Sequence, residues 1–441
     1  MMRRFLVFTL ILLGLTAVWP QLLAARQTAA KPDTPTIINS APNWGTFEDL
    51  SEDASADSTR PTIQAAPNGN DITVVFTSQT TGDITRNPYF NTSSDGGDNW
   101  DGMLPIQTTG NASSNVSFAY DATGKRHAVW VETTDPGAEL IYKRDDSTWG
   151  VSNSGAITLT ETIIFPGLFS PQIIASGSSF LDIVWAQGDP APVNIFHARS
   201  KDNGNNWITK SITQTSPISG NPSIAADQSG NLHAVWEEAT GGGISVIYYA
   251  MGTPNGSNNI TWSDIVIISD QAVPTITNAK QPDITTDGTT VYVSFANRVA
   301  EADQQVYQLT CNSNCTSAGN WVSVNNPITT QSLGVKATDP FDVSSSIIHI
   351  NNCTYAYYHG SIAGLGDDNE MILGTNSCDN WASSPMDQVT STIVRSIFPV
   401  ITNNDDGNLL LVFEQVDNEG LHTITFTKSG QSVYLPVILK Q

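Results

Sequence analysis

The sequence predicts an all-β protein built as a ring of seven similar units, and three observations predict it. First, aromatic residues recur at a fixed phase. An outer series, Trp44, Trp100, Trp149, Trp207, Trp262, Trp321 and Trp381, advances in steps between 49 (Trp100 to Trp149) and 60 (Trp321 to Trp381). An inner series, Phe76, Trp130, Trp185, Trp236, Phe295, Tyr358 and Phe413, keeps the same count and nearly the same period. A period of this length marks a repeat architecture in which each unit buries its faces only against its neighbours. Second, the runs between the aromatics alternate with a period of two and are broken by Gly, Asn and Asp, as strands and tight turns require. Third, only 14% of residues are charged while 39% are hydrophobic, so polar uncharged residues fill the connections of a chain able to build a core.

Each unit reads as four strands. Ser223–Gly230 gives a strand and a tight turn, and Leu232-His233-Ala234-Val235-Trp236 gives a second strand. Asp121–Trp130 repeats the pattern, with Gly124 matching Gly230 where the turn needs a positive φ. Alternation puts Trp236 and Ala234 on one face and Val235 and His233 on the other. A third strand follows (Ser245–Tyr249, Asn194–His197), then a polar turn, then a fourth strand opened by the outer tryptophan. Four antiparallel strands per unit and seven units make a seven-bladed β-propeller. The last unit supplies Pro399–Ile401, Leu409–Phe413 and Thr423–Thr427 but no tryptophan after them. Asn43–Phe47 carries Trp44 in phase, so an N-terminal strand is expected to close the ring and remove an exposed edge; Val433–Leu439 is the rival closing segment.

The chain divides accordingly into a signal peptide (1–30), a linker with the ring-closing outer strand (31–59), the propeller (60–430) and a C-terminal tail (431–441). Arg3 and Arg4 precede an apolar run from Phe5 to Trp19, with Ala24-Ala25 or Thr28-Ala29-Ala30 as cleavage zones. The run is short for a membrane span, so no span is expected after cleavage. A secreted or cell-surface location, and a monomer, follow as expectations. A formal net charge of -23 argues against nucleic-acid or anionic-membrane partners. All four cysteines lie in the mature part, which suits an oxidising compartment. Cys353 and Cys378 fall at adjoining ends of neighbouring strands and are expected to pair, leaving Cys311 with Cys315 across a loop. C-x3-C without a second pair is a poor zinc site, and no metal or other cofactor is expected. Asp367–Glu370 and Asn403–Gly407 are acidic loops that would suit calcium, but neither has EF-hand spacing.

Two turns carry a family resemblance. Ser93-Ser94-Asp95-Gly96-Gly97-Asp98-Asn99-Trp100 and Ser200-Lys201-Asp202-Asn203-Gly204-Asn205-Asn206-Trp207 both fit S-x-D-x-G-x-x-W. This resembles the Asp-box, or BNR repeat, of sialidase-like β-propellers. The resemblance implies a structural turn formed by Ser93, Asp95, Gly97 and Trp100, and again by Ser200, Asp202, Gly204 and Trp207, away from any catalytic face. Asn320-Trp321 and Asn380-Trp381 keep mainly the tryptophan.

A sialidase-like site would need three arginines on a carboxylate, a Tyr–Glu nucleophile pair and an Asp acid/base. On the face carrying the loops after strand two and before strand one, the reactive residues are Arg60, Asp83, Arg86, Glu132, Glu237, Glu238, Arg298, His359, Arg395 and Glu414. The candidates for such a site are Arg60, Arg298 and Arg395 as clamp, Asp83 as acid/base, and Tyr358 or Tyr357 with Glu237 or Glu238 as the pair. Arg60-Pro61-Thr62-Ile63 is similar only in part to the family's Phe-Arg-Ile-Pro motif, since the order is broken and Phe is absent. The family has six blades where this chain has seven. His127, His233, Glu132, Glu237 and Glu238 follow the repeat, which favours structural roles. The expected function is therefore a binding module for a glycan, polysaccharide or extracellular protein. A sialidase-like glycoside hydrolase and a purely structural or assembly module are the rivals.

Overall fold

The computed structural model of the chain describes residues 44–52, 57–80, 85–150, 154–160, 167–188, 192–213, 218–271, 278–300, 303–323, 327–329, 333–334, 343–362, 370–378, 387–390, 395–417 and 420–430. The chain divides into two units, Met1–Thr36 and the body, Ile37–Gln441. The signal segment, Asp83, Trp381, Asp367–Asn369 and the 431–441 tail lie outside the described residues. So does the rival closing segment. No helix among the described residues is long and apolar enough to cross a membrane.

The body is a seven-bladed β-propeller. The first blade is Asp57–Ala65, Ile72–Gln79, Asn87–Ser93 and Leu104–Pro105, and the second is Ser113–Tyr120, Arg126–Thr134, Gly137–Arg144 and Ala156–Thr158. The third comprises Gly167–Ala175, Leu181–Gly188, Asn194–Ser200 and Trp207–Ser211. In the fourth, Ser219–Ala226, Leu232–Gly241 and Ile244–Pro254 carry a split outer strand, Ile260–Trp262 and Val266–Ile267. The fifth holds Ala279–Thr286, Val291–Ala300, Asp303–Cys311 and Val322–Ser323; the sixth holds Ser345–Ile350, Cys353–Ile362, Met371–Asn376 and Asp387–Gln388. Leu333–Gly334 pairs with both the fifth and the sixth blade. The seventh blade is Arg395–Asn403, Leu409–Val416 and His422–Lys428, completed by Glu48–Asp49 from the N-terminal side. Trp44 adds a bridge to Ser429, so the N-terminal strand closes the ring.

The core lies between blades rather than within them, because a twisted four-stranded sheet exposes two faces and each must be covered. The inner aromatics Phe76, Trp130, Trp185, Trp236, Phe295, Tyr358 and Phe413 are all fully buried. Each sits in the gap between its own blade and the preceding one. Complete burial of such side chains contributes roughly 1.5–3 kcal/mol each. Alternation sends the neighbouring position the other way: Val235 packs toward the fifth blade while Trp236 packs toward the third.

The described outer tryptophans go to the same gaps, so they are wedges between blades rather than packing within one sheet. Trp100 meets Phe426 of the seventh blade, Trp207 meets Tyr142 of the second, and Trp321 meets Tyr249 of the fourth, each with ring centroids 4.9 Å apart. Trp44 meets Tyr357 of the sixth blade, the place that a seventh outer aromatic should take. Both expected disulfides form, Cys311–Cys315 and Cys353–Cys378.

Candidate functional site

The seven innermost strands surround an axial cavity of about 480 Å³, within the ~300–1,000 Å³ typical of small-ligand pockets. Its wall has a repeated construction. Six of the seven strands carry a bulge whose first residue has a left-handed φ: Arg60 (56°), Asn115 (52°), Ser170 (44°), Asn221 (44°), Gln281 (50°) and Phe398 (51°). All but Asn115 precede a proline: Pro61, Pro171, Pro222, Pro282 and Pro399. Proline has no N–H for a ladder bond and inside a sheet belongs at a bulge. The sixth blade keeps an unbroken register from Ser345 to Ile350.

Below the bulges a girdle of hydrogen bonds stitches blade to blade. Thr62 Oγ1 donates to the Val116 carbonyl (3.2 Å), and Ser117 Oγ accepts the Ile173 N–H (3.3 Å). Gln172 Oε1 accepts the Ile224 N–H (3.2 Å), and Ser346 Oγ accepts the Ile401 N–H (3.3 Å). Asp283 joins three blades: Oδ1 accepts from Ser223 Oγ and Oδ2 from the Ile347 N–H, both at 2.9 Å. Burial raises the Asp283 pKa against these hydrogen bonds. In the seventh blade Val400 has no polar group to offer. There the Arg60 N–H donates instead to Glu414 Oε1 at 2.5 Å.

The charged candidates cluster where the innermost strands begin. The Arg60 guanidinium lies 3.7 Å over the Phe398 ring, and burial pulls its pKa down. Glu414, almost fully buried, holds the Arg60 N–H with one oxygen and His422 Nδ1 (2.9 Å) with the other. Arg395 pairs through Nε with the buried carboxylate of Glu370. His359 is fully buried, with Nδ1 3.1 Å from Ser344 Oγ; burial, with the Arg60 charge second, pushes its pKa down to about 3. Arg86 pairs with Asp57.

The structure brings both Arg60 and Arg395 near Glu414, whose charge both guanidinium groups feel. Arg298 stands on the fifth blade, with the sixth between it and Arg395. The Tyr–Glu pair does not assemble. Tyr358 is enclosed in the apolar gap between the fifth and sixth blades. Glu237 lies between the fourth and fifth, accepting the Gln281 N–H at 2.8 Å with Lys280 Nζ 3.6 Å away. Glu237 and Glu414 follow the inner aromatic by one residue, and both hold the bulge N–H of the next blade. Glu238 accepts from the Trp236 indole (3.3 Å) and Ser219 Oγ (3.0 Å), and Glu132 from Asn111.

The recurring histidines are inward-tied. His127 bonds Tyr142 OH (2.8 Å) and Asp121 (3.2 Å), and His233 bonds Tyr249 OH (2.8 Å) beside Asp227. Burial lowers the pKa of both imidazoles. In the Ser93 turn, Ser93 Oγ accepts the Gly97 N–H (2.9 Å), and Asp95 accepts the Asn99 N–H (2.9 Å) and side-chain amide (2.7 Å). Those bonds, the Asn99 amide first, hold the Asp95 pKa down to about 2. The Asn403–Gly407 loop is a turn in which Asn404 Oδ1 accepts the Asn408 N–H (3.0 Å). Among the described residues, no three His, Cys, Asp or Glu side chains group as metal ligands would.

Apart from Arg60, the bulge residues were not singled out from the sequence, although prolines recurring at blade spacing or twice it inside strand-like runs were a usable signal. The girdle had none, because Thr, Ser, Gln and Asp perform one task there with different chemistry.

No protein-family model and no curated protein matches the chain. Among solved structures, a protein of unknown function from Dyadobacter fermentans is similar over 87% of this chain and 97% of its own, with a TM-score of 0.50 and 11% identity. A Hadza microbial sialidase matches at a TM-score of 0.45 and 11% identity, over 85% of this chain and 65% of its own. The intramolecular trans-sialidase of Ruminococcus gnavus matches at 0.44 and 13% identity, over 87% and 96%. At such identities the likeness concerns the fold.

Proposed function

We propose that the protein is a secreted, monomeric binding propeller that holds a glycan, polysaccharide or extracellular protein partner on the face where its innermost strands begin. The observation that carries this reading is the fate of the reactive groups there. Glu414, Glu370 and Glu237 hold bulge amides or neighbouring cations, and Tyr358 is sealed in an apolar gap. A Tyr nucleophile needs a base within hydrogen-bond reach, and Glu237 is in a different gap. The cavity beside them is lined by apolar and neutral polar residues, with few charges among the described ones, which suits recognition. The two disulfides support an extracellular setting, with 1–30 as the secretion signal. The Ser93 and Ser200 turns, in this reading, are Asp-boxes serving the fold.

The experiment exposes the mature protein to a glycan array and to a panel of fluorogenic sialosides. Retention on the array without fluorophore release is the expected result. Release of fluorophore by wild type, abolished by Arg60→Ala, would overturn the binding reading in favour of a sialidase-like hydrolase.

A further inference from the structure

The mouth of the axial cavity has a composition that the charged cluster beside it does not share. At four successive blades the left-handed bulge residue is a neutral hydrogen-bonding group: Asn115, Ser170, Asn221 and Gln281. All four line the cavity at equivalent register positions. Ser170 Oγ reaches Asn221 Oδ1 at 3.1 Å. Among the described residues, neither the Asn115 nor the Gln281 side chain has a hydrogen-bond partner in the protein. The girdle below does not use the Asn115 and Gln281 side chains, so the identity of those two is not needed to hold the blades.

We infer that this collar is a subsite for the uncharged, hydroxyl-rich end of a glycan, which enters the axial cavity and is read by the primary amides of Asn115, Asn221 and Gln281. The inference rests on the binding function proposed above and names the ligand chemistry. An amide offers a donor and an acceptor side by side and can serve both roles of neighbouring hydroxyls. The cavity of about 480 Å³ has room for a small ligand. Among the described residues its lining holds only two charged side chains, Arg60 and Asp283. Asp283 is bound on both oxygens, and Arg60 lies against Phe398 beside Glu414. A chain with a formal net charge of -23 also repels anionic sugars at long range. Cavity, collar and field therefore select a neutral ligand over an acidic one.

The test removes the amides without disturbing the backbone. Glycine adopts the left-handed φ of these positions freely, so Asn115→Gly with Gln281→Gly deletes two side chains and leaves the bulges intact. Wild type and the double variant are compared on an array of neutral, sialylated, uronic-acid and sulfated glycans. The neutral oligosaccharide retained best is then titrated calorimetrically, with the melting temperature of each protein recorded. The expected result is capture of neutral glycans by wild type and a loss of affinity of about tenfold or more in the variant, at nearly unchanged melting temperature. Equal affinity of the variant, or capture of acidic glycans alone, overturns the collar and leaves the broader binding function standing. Failure of wild type to capture any glycan overturns the collar and the glycan reading together.

Discussion

The turn that ends the third strand of the third blade and its counterpart in the fifth blade do the same task by different chemistry. Ser200 and Cys311 occupy one register position, each opposite the first residue of its blade's second strand (Leu181 and Val291). Four residues on stand Gly204 and Cys315. In the third blade the link between those positions is a hydrogen bond, the Gly204 N–H to Ser200 Oγ at 2.8 Å. In the fifth it is a covalent bond, Cys311–Cys315. The residue before the second position is left-handed in both, Asn203 at 56° and Asn314 at 50°. Trp207 Nε1 donates to the Gly204 carbonyl (3.1 Å), and Trp321 Nε1 to the Cys315 carbonyl (2.9 Å). Both indoles then meet a tyrosine of the preceding blade at 4.9 Å, with interplanar angles of 68° and 69°. The shared requirement is an anchored tryptophan between blades; the turn chemistry is free to vary so long as it delivers one.

The largest effects should come from the anchored rings. Trp321→Ala is expected to cost about 3–5 kcal/mol as a buried aromatic truncation, and Trp207→Ala less, because Trp207 is only half-buried. Urea unfolding monitored by far-UV circular dichroism measures both; equal small losses would mean that the rings do not wedge the blades.

Next, Cys311→Ser with Cys315→Ser should cost about 2 kcal/mol, the chain-entropy expectation for so short a loop. Reductant should speed amide exchange in peptides spanning 311–321 and leave those spanning 200–207 alone. Softening of both turns together would show that the disulfide acts on the whole ring. Ser200→Ala should cost about 1 kcal/mol, a hydrogen bond lost at a buried position. A loss matching that of the cysteine pair would erase the distinction between the turns.

The smallest effect concerns acid. Bonds from Asn206 lower the Asp202 pKa in the folded state. Its contribution is therefore complete above the ordinary carboxylate pKa and is lost as pH falls through the depressed folded value. Amide exchange measured between pH 5 and pH 2 should rise, relative to intrinsic rates, in the 200–207 turn. The 311–321 turn has no such carboxylate, and a parallel rise there would break the comparison.

Much of this was legible in the chain. The inner aromatics were legible because a fully buried gap accepts only a large apolar side chain, so Trp130, Trp185 and Trp236 recur unchanged. Trp44 announced the ring closure by its phase. Cys353–Cys378 followed from strand ends that antiparallel pairing brings together, and Cys311–Cys315 was the pair that this left. The bulges at Arg60 and Gln281 were harder to read, since the informative residue is the proline after them. Tyr358 and Glu237 were misleading as a pair, because they lie in different gaps, Tyr358 between the fifth and sixth blades and Glu237 between the fourth and fifth.

The sequence by itself determined the blade count, the four-stranded unit and the closing strand, because these depend on periodic burial, and periodicity survives in one dimension. Only the tertiary structure decided that Cys311–Cys315 stands where Ser200 and Gly204 stand. It also decided that Asp283 binds three blades and that Asn115, Asn221 and Gln281 share one cavity. Those relations join residues from different blades, and their partners are chosen by proximity around the axis rather than by spacing along the chain.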